Sequence, residues 1–122
     1  MVMFNFKKLE VWQNAIDFAD LVYNRTKQFP ADGRFGLTNQ MRRAAVSLSS
    51  NLAEGSSRIS QTDFARLIET ATGSVFEIVS QAFVARQQGH LTDEHFHTFY
   101  SATDEIGRML SGVRKSLICN VM

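Results

Sequence analysis

With 122 residues, 44% of them apolar, and Pro30 as the only proline, the chain has the make-up of a single folded domain rather than a disordered segment. Its 13 basic and 12 acidic side chains nearly cancel, which excludes a global pull toward nucleic acid or an anionic membrane, so such binding needs a local patch. The lone Cys119 excludes an internal disulfide, the longest uncharged run falls short of the roughly 18 residues that suggest a membrane span, and the start "MVMFNFKKLEVW" does not read as a signal peptide, so a reduced cytoplasmic setting is expected.

The first helix is expected over about 7–29. At 100° per residue, Leu9, Trp12, Ile16, Ala19 and Tyr23 fall on one seam, and Val11, Ala15, Phe18 and Val22 on a second beside it. Two seams are more apolar surface than a lone amphipathic helix needs. Pro30, Asp32 and Gly33 break the pattern. The second helix is expected over about 36–54, with a core seam of Leu37, Met41, Ala44, Ala45, Leu48 and Leu52 and with Gly55 as its stop. The third, about 60–88, opens on Ser60 as N-cap with Asp63 in the first turn. It follows Phe64, Leu67, Ile68, Ala71, Val75, Ile78 and Ala82 to Gly89. The fourth, about 92–118, is capped by Thr92 and follows Phe96, Phe99, Tyr100, Thr103, Ile106, Leu110, Val113 and Leu117.

No segment alternates as a strand does, and the loops are short. Short loops between long helices make neighbours antiparallel, so the sequence predicts an all-α, up-down antiparallel four-helix bundle, one domain over 1–122. Trp12, Ile16, Leu48, Ile68, Val75 and Leu110, at the seam centres, are expected to be buried.

The stretch "QMRRAAVSLSSNLAEGSSR", residues 40–58, is unusual because residues 44–53 carry no charge and are mostly small. Opposite the core seam lie Val46 and Ala53, flanked by Ser49 and Ser50, with Arg42 and Arg43 at one end. Short side chains let another backbone approach. Phe76 and Phe83 likewise widen the apolar sector of the third helix. Surplus apolar surface of this kind marks an interface, so the five residues Val46, Ser50, Ala53, Phe76 and Phe83 are candidates for self-association. The residues alone say only that the protein is not a monomer.

Four segments, "FKKLEVWQNAIDFADLVY", "FGLTNQMRRAAVSLSSNLAEGSSR", "DFARLIETATGSVFEI" and "EIGRMLSGVRKSL", together resemble the four-helix bundle proteins of the 23S rRNA intervening-sequence family. The resemblance spans roughly residues 6–118. It implies a bundle that assembles as a ring-like homopentamer. Some members are encoded within insertions in bacterial 23S rRNA genes, and a related group serves diversity-generating retroelements as basic accessory proteins that associate with nucleic acid and a reverse transcriptase. The family pattern falls here on Trp12, Phe35, Gly36, Gln40, Arg42, Arg43, Asn51, Glu54, Gly55, Arg58, Phe64, Gly73, Ser74 and Glu77. The chain departs from it in two ways: Ser49 stands near where many relatives carry a helix proline, and the net charge of +1 is unlike that of the basic retroelement proteins.

Catalytic and metal chemistry lack a complete set. Glu94 and His97 make one Glu-x-x-His pair, with His90 four residues before Glu94, whereas a di-metal bundle needs two such pairs and two further glutamates. Glu69, Glu77 and Glu105 point away from the core seams, and Ser74 stands in no nucleophile motif. Gly36, Gly55 and Gly73 form no phosphate loop, and Gly73 is either a point of close helix approach or a neutral exposed position. No enzyme, cofactor or metal is therefore expected. The nucleic-acid candidates are Arg42, Arg43 and Arg58, joined by Lys7 and Lys8, which suit phosphate contacts that position without reading sequence. The alternative is that these cations bridge subunits or face water, and Glu54 is spaced to pair with Arg58. The sequence thus reads as a non-catalytic homo-oligomeric bundle. Its partners are further copies of itself and either RNA or a nucleic-acid-processing protein; the rival is a protein-binding scaffold that never touches nucleic acid.

Overall fold

Four α-helices follow a short 3-10 turn at Asn5–Lys8: α1 Glu10–Thr26, α2 Leu37–Ser56, α3 Gln61–Gln87 and α4 Asp93–Val121. This is a computed structural model, and it describes residues 4–31 and 36–121, with side chains as far as residue 118. Phe35 and the Cys119 side chain lie outside the described residues.

Each helix packs on its neighbours in chain order, α1 on α2, α2 on α3 and α3 on α4, with α4 closing more lightly on α1 and, among the described residues, no close backbone approach across the diagonals. The fold class expected from the sequence is therefore observed: among the described residues all regular structure is helical, in an up-down bundle. One core runs through it, with Val22, Met41, Leu48, Leu52, Ile68, Ile78 and Leu110 fully enclosed. Phe18 and Phe99 meet edge-on at 5.7 Å across the α1–α4 seam.

The helix ends have local causes. Ser60 Oγ accepts from the Asp63 amide at 3.3 Å, and Thr92 Oγ1 from the His95 amide at 3.1 Å, each satisfying a donor the first turn leaves open. At the end of α3, Gly89 adopts φ +79°, and the His90 amide reaches back to the Ala85 carbonyl at 2.8 Å, closing a Schellman-type end. The first helix is shorter than expected because Leu9 is extended, with ψ 117°, which separates the 3-10 turn from α1. That turn is pinned by the Phe6 ring against Trp12, 4.8 Å apart.

Three expectations need correction. Ile16 is 41% exposed and Trp12 only half-buried, because the core seam of α1 is the other one: Val11, Ala15, Phe18 and Val22. A bundle helix buries one stripe, so the second seam is left along the α1–α2 edge. Tyr100, assigned to the core seam of the fourth helix, is 48% exposed. Gly55 does not stop α2, which runs on to Ser56. It is buried in the last turn, where a Cβ would stand 2.9 Å from the Phe64 ring and 3.2 Å from Leu67 Cβ. Gly55 therefore lets α2 and the start of α3 come together. Near Ser49 the helix is continuous, and the Ser49 hydroxyl donates to the Val46 carbonyl at 3.0 Å.

Candidate functional site

The five candidate cations do not form one patch. Arg42 reaches across to α1, where Nε donates to Thr26 Oγ1 at 2.9 Å and Nη2 to the Tyr23 carbonyl at 3.3 Å. Its guanidinium also lies 4.6 Å from the Tyr23 ring centroid. Thr26 in turn donates to the Val22 carbonyl at 2.7 Å, so Arg42 closes off the carbonyl end of α1 and complements its dipole. Arg58 pairs with Glu54 at 2.6 Å, as the spacing predicts. Arg43 is exposed and has no ion pair among the described residues. Lys7 and Lys8 are exposed on the 3-10 turn. Because α1 and α2 run antiparallel, that turn lies at the Arg58 end of α2. About fourteen residues of helix, roughly 21 Å, separate Arg42 from that end of α2 at Ser56.

The candidate interface residues are likewise divided. On the α1–α2 edge, Val46 is 44% exposed beside Ser50 and the half-buried Ala53. The contact of Arg42 with Tyr23 and Thr26 sets the register of the two helices. One turn on, Val46 is level with Ala19, and Ala53 is level with Trp12. The exposed seam of α1 therefore continues the apolar strip of α2.

On the α3–α4 edge lies an open groove of about 460 Å³ lined by Thr72, Val75, Phe76, Val79, Tyr100, Thr103, Asp104, Gly107, Arg108 and Ser111. Phe76 is 72% exposed and shares this groove with Tyr100, 48% exposed, so the two rings form a contiguous apolar patch rather than a single bare side chain. Phe83 packs edge-on against Phe96 at 4.8 Å, and the Arg86 guanidinium covers Phe96 at 4.0 Å. Since the helices follow one another around the bundle, this groove and the Val46 strip lie on opposite edges. Ile16, Val79, Tyr100 and Gly107 join the surfaces that sequence reasoning found only in part. The surplus seam of α1 was the signal for Ile16.

The acidic candidates are occupied or solvated. Glu69 Oε1 accepts from Arg114 Nε at 2.8 Å, Glu77 from Gln81 at 3.3 Å, and Glu105 is exposed. Glu94 and His97 are exposed, while His90 rests against Phe29 with rings 5.4 Å apart. Among the described residues no three His, Cys, Asp or Glu side chains gather as a metal site would require. Ser74 donates to Ser47 Oγ at 3.3 Å and so ties α3 to α2. Gly73 is exposed with open space at its Cβ position. Among the described residues no helix is long and apolar enough to cross a membrane.

Comparison with known proteins agrees with this architecture. No curated protein matches the chain. Among solved structures, the chain is similar to a protein of unknown function from the S23 ribosomal protein family of Bacteroides thetaiotaomicron. The two share 20% sequence identity with a TM-score of 0.78, over 86% of this chain and 95% of the other. At that identity the likeness speaks for the fold. The family model of the 23S rRNA-intervening sequence protein matches residues 7–112, nearly all of the bundle, and the chain belongs to that family.

Proposed function

We propose that the protein is a non-catalytic, self-associating four-helix bundle that acts in the cytoplasm as an RNA-associated accessory protein. A ring of five is the assembly that the family resemblance implies. The observation that carries self-association is the apolar surface left bare on opposite edges, above all Phe76 at 72% exposure and Val46 at 44%. The RNA role draws on the family name and on the exposed Lys7–Lys8 pair, which a ring repeats once per copy, so weak phosphate contacts add up. A second reading, a protein-binding scaffold without RNA, is favoured by Arg42 and Arg58 being engaged within the chain.

Two measurements test this. Light scattering of the wild type should give a mass several times that of one chain at micromolar concentration, and a monomer refutes self-association. RNA binding should be insensitive to sequence, and the logarithm of its constant should fall linearly with that of salt concentration. Reversing Lys7 and Lys8 to glutamate, at the end of the bundle, should weaken it while leaving the assembly intact. No binding at low salt, or binding that ignores this change, leaves the scaffold reading in place.

A further inference from the structure

We infer that the assembly is head to tail, with the outer ridge of α2 from one copy seated in the α3–α4 groove of the next. This rests on the self-association proposed above and specifies its occupant as a second copy of this chain. The two surfaces differ in the way partners should. One is a convex helix whose outward side chains are short, at Val46, Ser50 and Ala53, spaced as neighbours on one helix face. The other is a concave trough with projecting rings at Phe76 and Tyr100. Short side chains allow helix axes to approach to about 8 Å, and a ridge between two helices fills their groove.

The heights of the residues support the same pairing. Ser47 and Ser74 touch, so Val46 is level with Val75 and Phe76 on α3. The Phe83–Phe96 and Glu69–Arg114 contacts then place Gly107 of α4 at that height. A rotation axis parallel to the bundle preserves height between copies. It therefore brings Val46 against Phe76 and the bare backbone at Gly107, where a Cβ position has open space. One turn away, the same rotation brings the unpaired Arg43 level with Asp104 on the groove rim. Among the described residues, the ion partner of Asp104 is the exposed Arg108, at 2.9 Å. A ridge fits a groove better than it fits a second ridge, so surfaces of complementary shape on opposite edges join in sequence and close when the rotation closes.

The experiment uses two single variants, V46R and F76R, each spoiling one surface and sparing the other. Both positions face solvent, so helical circular dichroism should be retained, and V46K and F76E serve as second versions. Each variant alone should be monomeric by light scattering, and an equal mixture should form a dimer through the two surfaces left intact. Wild type that assembles while the mixture stays monomeric, or either variant that dimerises alone, overturns the head-to-tail arrangement and leaves self-association standing. A monomeric wild type removes both. The register has its own check: R43D and D104R should each weaken assembly at least tenfold, and the double change R43D/D104R should restore it. Failure of that rescue refutes the placement of Arg43 against Asp104.

Discussion

Arg42 and Arg43 are adjacent in sequence and 100° apart on α2, and that rotation gives them different surroundings. Arg42 turns toward α1 and is consumed by the Tyr23 carbonyl and Thr26, while Arg43 points outward. The same logic separates Ile16 from Ile68. Ile68 and Leu110 are fully enclosed, so I68A or L110A should each cost about 2–5 kcal/mol of unfolding free energy in denaturant titrations. I16A, at an exposed site, should cost under about 0.5 kcal/mol in the isolated bundle. Equal losses at all three would refute the assignment of the α1 core seam. Gly55 offers a sharper contrast. Alanine ordinarily gains about 1 kcal/mol over glycine within a helix. Here its methyl would meet Phe64 and the backbone-anchored Leu67 Cβ, and crowding of that kind costs about 1–3 kcal/mol. G55A should therefore lower stability, measured as a reduced urea midpoint, whereas G73A, with open space around it, should not.

At the level of elements, the helices were legible from their apolar period, and α3 and the start of α4 also from chemistry the sequence states openly. Ser60 and Thr92 cap, Gly89 ends α3, and a 3.6-residue period runs between them, whereas α1 ends at Thr26, four residues before Pro30. Gly89 alone takes positive φ among the described residues, so G89A should cost about 1 kcal/mol through strain in a backbone region that Cβ disfavours. An unchanged thermal midpoint would contradict that account. What stayed hidden was which of two apolar seams on α1 faces inward. Both have the right period, and only the position of α2 and α4 decides between them. Gly55 misled for a related reason: a glycine near a helix end signals termination in most sequences, and its part in letting α3 approach depends on Phe64, nine residues later and in another helix. The cation set was legible as residue types but not as a patch. Residue types alone do not show that α2 carries Arg42 near one end of the bundle while Arg58 lies just past the other.

On the scale of the whole molecule, α2, α3 and α4 pack on one another extensively, while α1 lies along α2 and touches α4 only lightly. That uneven packing has a consequence for the protein's motions. Regions with fewer enclosed contacts open at lower free energy than the rest and exchange their amide hydrogens without global unfolding. Amides of α1 should therefore exchange as a group well before those at the centre of α3, with the difference read residue by residue from dilute protein. The exposed seam of α1 flanks the proposed interface, so raising the protein concentration should slow exchange in α1 while leaving the centre of α3 nearly unchanged. Uniform protection across the four helices would mean that the first helix is bound into the fold as firmly as the others. In the dilute protein, then, α1 should be the part of the fold most readily released, and the proposed assembly should hold it down.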